Sequence, residues 1–235
     1  MAKYTDLFID FDDTIYDTHG NAEIALLELY AHYQLGRYFR NEEEFTKPYW
    51  EANLDLWSRY AKGEITRDYL IVERFRRPLS VCMGDAATRE FCLEVSDWFL
   101  DCCADKPGVL DGAHELLDYL SNKGYRMHIV SNGFHEVQYR KLRASRTIEY
   151  FQTIILSEDA GANKPAQAFF DYAFSMSGAQ PETTLMIGDN YTTDILGAQA
   201  AGLDVLFLNR WDKEFMPPNP VDYQVKNLRE IIDIL

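Results

Sequence analysis

The chain of 235 residues contains no run of 18 apolar residues, so no membrane-spanning helix is expected. Cysteine is scarce. Cys82, Cys92, Cys102 and Cys103 match no zinc or redox spacing, which predicts free thiols rather than disulfides or a metal centre. Positive charge is also short: 23 Lys and Arg stand against 38 Asp and Glu, for a formal net charge of −15. That field repels DNA and RNA, which argues against a nucleic-acid polymer as partner. A small anion can still bind where positive charge is concentrated locally. The opening Met-Ala-Lys-Tyr-Thr-Asp lacks the basic segment, long apolar stretch and cleavage site of a secretory signal, and predicts a cytoplasmic protein. What the chain does have is 47% hydrophobic residues, enough for one large core or a core domain with a smaller one beside it.

From residue 106 onward, short β-rich runs alternate with helical segments. Helices are expected at 111–120 (stopping near Gly124), 134–144, from Pro165 to Gly178, at 192–201 (ending at Gly202) and at 227–235. Strands are expected at 125–130, 153–156, 184–187 and 204–208. This alternation predicts an α/β, Rossmann-like core with a parallel sheet flanked by helices. Residues 16–105 read instead as almost wholly helical. Asn41 and Glu44 have capping-box spacing, Pro48 can open a helix through Tyr60, Thr66 can cap one through Arg76, and Asp85 can cap one through Cys103. Connections within an α/β domain are normally ~2–6 residues. The interval therefore predicts an inserted α-helical cap domain. The expected organisation is 1–15 with 106–235 as the core, and 16–105 as a helical insert that sits over the strand ends as a lid.

The densest chemistry is in Asp6-Leu-Phe-Ile-Asp10-Phe-Asp12-Asp13-Thr14. In an extended segment Asp10 and Asp12 start out on one face. Two such charges ~4 Å apart repel by roughly 4 kcal/mol at an effective dielectric of ~20. A cation among them, or a retained proton, would relieve that cost. A hard divalent metal beside a carboxylate nucleophile and a carboxyl proton donor is the equipment of phosphoryl transfer. Three more polar groups fall at expected strand ends, where open parallel sheets place their sites. They are Ser131-Asn132-Gly133, Lys164-Pro165, and Gly188-Asp189-Asn190-Tyr-Thr-Thr-Asp194. Each alone is compatible with ordinary turn or loop chemistry; together, in this order, they form one constellation.

That constellation resembles the haloacid dehalogenase superfamily of phosphohydrolases, and the helical insert looks like its C1-type cap. The resemblance implies Asp10 as the nucleophile that forms an aspartyl-phosphate, and Asp12 as the acid and then the base. Thr14 would support the loop, and Ser131 with backbone N–H groups around Asn132 would grip phosphate oxygens. Lys164 would offset charge on the nucleophile and the phosphoryl group. Mg²⁺ would be held by Asp10, the backbone carbonyl of Asp12, and Asp189, with Asp194 orienting Lys164 or a metal-bound water. No catalytic role falls to Asp13. The dehalogenases of the superfamily act on carbon and lack the second aspartate, so Asp12 and Asp189 favour phosphate esters.

A finer resemblance, carried by Ser131-Asn-Gly-Phe-His-Glu-Val-Gln, Ile155-Leu-Ser-Glu-Asp-Ala-Gly-Ala-Asn-Lys-Pro and Phe169-Phe-Asp-Tyr-Ala, is to bacterial pyrimidine-type 5′-nucleotidases. It implies a small phosphate monoester as the partner, specifically a nucleoside 5′-monophosphate. A sugar-phosphate or phosphoglycolate phosphatase, a phosphomutase, a 2-haloacid dehalogenase and a non-catalytic binding module are the alternatives. In the insert, Tyr49, Trp50, Trp57, Tyr60, Tyr69, Phe75, Trp98 and Phe99 could stack on a base or simply form a small core. Arg74, Arg76 and Arg77 read as a solvated helix face, and His19, His114, His128 and His135 as structural or surface residues.

Overall fold

The structure is a computed structural model describing residues 3–211 and 214–235. Its strands are β1 (Asp6–Ile9), β2 (Arg126–Ser131), β3 (Thr153–Leu156), β4 (Thr184–Gly188), β5 (Asp204–Leu208) and β6 (Tyr223–Val225). Its α-helices are α1 (Thr18–His32), α2 (Glu43–Ala61), α3 (Arg67–Met83), α4 (Arg89–Ala104), α5 (Ala113–Asn122), α6 (His135–Ala144), α7 (Ser157–Ala160), α8 (Gln167–Ser177), α9 (Gly197–Ala200) and α10 (Arg229–Ile232). The chain divides into two compact units, Met1–Thr18 with Pro107–Leu235, and His19–Lys106.

The first unit holds one parallel sheet in the order β3-β2-β1-β4-β5-β6. Its strands are apolar on both faces because both faces are covered. Alternate residues feed two separate layers. Leu7, Ile9, Met127, Ile129, Leu185, Ile187, Leu206 and Leu208 pack with Leu116, Leu117 and Leu120 of α5. Phe8, Val130, Met186, Val205 and Phe207 pack with Phe169, Phe170 and Ala173 of α8. Parallel pairing in register then brings the carboxyl ends of β1, β2 and β4 side by side: Ile9 is level with Ile129 and with Ile187. Every residue just beyond those three positions is carried to one edge of the sheet.

The second unit is helical. Leu26 and Leu29 of α1, Phe45 and Tyr49 of α2, Phe75 and Leu79 of α3, and Val95 and Phe99 of α4 form its core. The rings of Tyr49, Phe75 and Phe99 meet pairwise at centroid distances of 5.2–5.5 Å, so these three aromatics are core residues. The side chain of Thr66 caps α3 by accepting from Tyr69 N–H.

Several local expectations are corrected. Pro48 lies inside α2, because the chain starts turning earlier: Asn41 Oδ1 accepts from Glu44 N–H at 2.9 Å, and Glu44 Oε2 accepts from Arg40 N–H at 2.7 Å. Thr88, not Asp85, caps α4; its extended backbone lets its side chain accept from Phe91 N–H, while Asp85 sits in a single 3₁₀ turn. Pro165 precedes α8 and follows a cis peptide from Lys164. Residues 191–196 form a π-helix ahead of α9, led by Asn190, whose side chain accepts from Thr192 and Thr193 N–H. The tail forms only the short α10, preceded by β6, which the sequence did not announce. All four cysteines are free, with Cys82 and Cys102 only partly buried.

Candidate active site

Asp10 is the first residue past β1, fixed by its N–H to the carbonyl of Ile187 at 2.9 Å. Its carboxylate is buried and held on both sides. Oδ1 accepts from Lys164 Nζ at 2.7 Å, and Oδ2 accepts from Thr14 Oγ1 at 3.2 Å. Thr14 Oγ1 also accepts from Asp189 N–H at 3.1 Å, so one buried hydroxyl joins the ends of β1 and β4.

Lys164 is 1% exposed, and its ammonium donates three bonds of 2.7 Å, to Asp10 Oδ1, Asp194 Oδ1 and the Val130 carbonyl. Burial alone would lower its pKa, but Asp10 and Asp194 outweigh that and raise it. Asn132 explains how so buried a lysine is placed. Its side-chain amide brackets the Lys164 backbone, accepting from N–H at 2.8 Å and donating to C=O at 3.0 Å. Asp194 turns back from the π-helix, its Oδ2 accepting from Asn190 N–H at 3.0 Å. Gly188 makes this possible: a Cβ there would overlap the Asp194 carboxylate.

Carboxylate oxygens of Asp10, Asp189 and Asp194 lie within 4.8 Å of one another. Burial, then the opposing pull of Lys164 and the push of Asp194 and Asp12, leaves Asp10 with a pKa raised to about 7. Burial and the charges of Asp10 and Asp194 raise Asp189 well above the ordinary carboxylate value. Such crowding of hard oxygen donors fits a hard divalent cation such as Mg²⁺.

Asp12 faces a different setting. Its Oδ1 accepts from Lys141 Nζ at 2.6 Å and from Thr18 Oγ1 at 2.6 Å, and its Oδ2 accepts from Gln138 Nε2. Burial pushes the carboxyl up, but the Lys141 ammonium and these donors prevail and hold it below the ordinary range. Asp10 and Asp12 are thus each relieved by a lysine ammonium of their own, and the raised pKa of Asp10 fits the expectation of a cation or a retained proton at this cluster. Ser131, at the end of β2, accepts from Gly133 N–H at 3.0 Å and from Gln138 Nε2 at 2.7 Å. The eight expected site residues thus gather at one edge of the sheet, around two separate ammonium groups.

The haloacid dehalogenase-like hydrolase family model matches residues 7–202. The chain belongs to that family. YfnB of Bacillus subtilis (strain 168), named as a HAD-hydrolase, is 32% identical over 236 residues, covering 100% of this chain and 97% of YfnB. Pyrimidine 5′-nucleotidase PynA of Streptococcus pneumoniae is 28% identical, covering 99% of this chain and 95% of PynA. Pyrimidine 5′-nucleotidase YjjG of Escherichia coli (strain K12) is 28% identical, covering 99% and 98%. The crystal structure of YfnB bound to magnesium superposes with a TM-score of 0.87 at 30% identity, covering 99% of each chain.

In this haloacid dehalogenase-like hydrolase, several residues around the site escaped sequence reading. Gln138 and Lys141 are three apart, hence on one face of the helix that follows Ser131-Asn-Gly, and that spacing was the available signal. Asp13 has a left-handed backbone (φ 61°); its carbonyl accepts from Arg210 Nε at 3.1 Å and its carboxylate pairs with the same guanidinium. Arg210 in turn stacks on the Trp211 ring at 3.7 Å, and Trp211 Nε1 donates to Asp189 Oδ2 at 3.3 Å. In the helical unit, Arg74 is not on a solvated face. It is 3% exposed, lies 5.1 Å and 5.4 Å from the centres of the Phe99 and Phe75 rings, and donates to Ser96 Oγ at 3.1 Å. Arg76 and Arg77 pair with Glu73 and Asp55. His128 is buried beside Asp6 at 3.2 Å, on β2 well back from the strand end.

Proposed function

We propose that the chain is a magnesium-dependent phosphomonoester hydrolase that works through an aspartyl-phosphate on Asp10, with nucleoside 5′-monophosphates as its substrate class. The observation that carries this reading is the buried Asp10 carboxylate, gripped by Lys164 and crowded by Asp189 and Asp194, with a second carboxyl two residues away in its own hydrogen-bonded setting.

Asp10 is the nucleophile, because its carboxylate is held by a hydrogen bond from each side, the shorter from Lys164. It forms a bond to phosphorus as the ester bond to the leaving oxygen breaks. Asp12, held as a carboxylate by Lys141 in this structure, takes up a proton from solvent and gives it to that oxygen, then takes one from the water that cleaves the acyl phosphate. Lys164 offsets the charge of Asp10 and of the phosphoryl oxygens, and Asp194 keeps its ammonium in place. Ser131 and the backbone near Asn132 bind the remaining phosphate oxygens. Asp10, Asp189 and the Asp12 carbonyl would hold Mg²⁺, with Asp194 beside them. When bound, the ion supplies positive charge against the phosphoryl group and relieves repulsion among the carboxylates.

The nucleotide preference is supported by the names of PynA and YjjG, each 28% identical over 99% of this chain. A panel of pyrimidine and purine 5′-monophosphates, sugar phosphates and phosphoglycolate, assayed with Mg²⁺, tests it. A preference for nucleotides is expected; a sugar phosphate favoured over every nucleotide would replace this substrate class with that one.

A further inference from the structure

Gln138 and Lys141 have no part in the steps above, yet both are buried against the residues that perform them. Gln138 is 0% exposed. Its Nε2 donates to Asp12 Oδ2 and to Ser131 Oγ, so one amide joins the loop after β1 to the end of β2. Its Oε1 is buried with no partner among the described residues. A glutamine kept for stability alone would satisfy both ends of its amide. This one leaves its acceptor empty, which costs stability, and commits its donor end to Asp12 and Ser131. Position 133 is vacated for it: a Cβ on Gly133 would overlap the Gln138 amide. Lys141 is 8% exposed, and its Nζ reaches Asp12 Oδ1 at 2.6 Å while lying 5.1 Å from the centre of the Tyr16 ring. Between them the two side chains contact both carboxylate oxygens of Asp12, which fixes its rotation.

We infer that Gln138 and Lys141 are positioning residues for proton transfer. They aim the Asp12 carboxyl at the bridging oxygen of the ester, and Gln138 ties that aim to the phosphate-binding hydroxyl of Ser131. The inference rests on the phosphatase reading above. In the step it concerns, the Asp10 oxygen–phosphorus bond forms, the phosphorus–ester oxygen bond breaks, and the proton passes from Asp12 to the departing oxygen. Misplacing the donor matters most when that oxygen is strongly basic, as in an alkyl ester, and least when it departs as a stabilised phenolate.

The test compares kcat/KM for p-nitrophenyl phosphate with kcat/KM for an alkyl ester (the nucleoside 5′-monophosphate or sugar phosphate that wild type turns over fastest). Gln138→Met, Lys141→Met and Lys141→Arg are measured beside wild type, each first checked for a cooperative melt. Expected is a loss of about 100-fold on the alkyl ester and under about 10-fold on p-nitrophenyl phosphate for both methionine variants, with Lys141→Arg recovering most of the loss. Equal losses on the two esters, or no loss on either, would overturn the inference. If Gln138→Met does not fold, the Lys141 pair decides alone by the same criterion. A wild type with no magnesium-dependent turnover of either ester would instead sink the phosphatase reading itself, so the two failures stay distinct.

Discussion

Asp10 lies among Lys164, Asp189 and Asp194, whereas Asp12 lies among Lys141, Gln138 and Thr18. In the first region one ammonium pairs with two of three carboxylates; in the second one ammonium pairs with one. The first is left with unbalanced negative charge and carboxyls of raised pKa, and the second is closed, with a carboxyl of lowered pKa. Two residues of sequence separation therefore span a change from an environment that asks for a cation to one that already has it. The lesson is that adjacency in a motif says little about electrostatics. Helix α6 and the loop before α8, far away in sequence, decide it.

The sharpest way to break this comparison is at the carboxylates. Asp10→Asn should lose turnover of p-nitrophenyl phosphate by on the order of 10⁴-fold or more, and form no phosphoenzyme by intact mass. Asp12→Asn should still form phosphoenzyme and release it slowly; a phosphorylated Asp10→Asn protein would reverse the assignment. Next come the two lysines. Lys164→Met strands two buried carboxylates and should cost roughly 3–5 kcal/mol in urea unfolding without metal. Lys141→Met strands one partly exposed carboxylate and should cost less; equal costs would erase the distinction.

The distinction also has a pH signature. Asp10, at about 7, and Asp189 bind protons in the native state that the unfolded chain has released above about pH 4. Metal-free stability should therefore fall as pH rises through that window. Asp12 acts oppositely: its contribution is present above about pH 4 and is lost as pH falls below it. Melting temperatures in EDTA should decline as pH rises from about 5 to about 7, and magnesium should flatten the decline. A flat profile in EDTA would count against a crowded, cation-seeking cluster. The smallest effect is expected from Gly188→Ala, which should destabilise by about 1–3 kcal/mol by displacing Asp194.

Much of the first region was readable in the sequence. Asp10 and Asp189 stand directly after apolar strands, and parallel register carries them together, while Asn132 brings in Lys164 and the turn at Asn190 brings in Asp194. The second region was not. The roles of Gln138 and Lys141 depend on how α6 rotates as it leaves β2, and that of Arg210 depends on Asp13 adopting a left-handed backbone. Arg74 was misjudged because charge suggests solvent, while its neighbours Phe75 and Phe99 supply aromatic faces that accept a guanidinium. The start of α4 at Arg89 differs from the expected cap at Asp85 for a related reason: which of several polar residues becomes the cap is settled by backbone conformation.

Gly133 and Gly188 bring out a constraint of another kind. Each gives up its own side chain so that a polar group from elsewhere can occupy the space. In a scan of all single substitutions, both positions should tolerate little although neither offers any reactive atom. A single methyl group at either position would displace a neighbour, the Gln138 amide at one and the Asp194 carboxylate at the other.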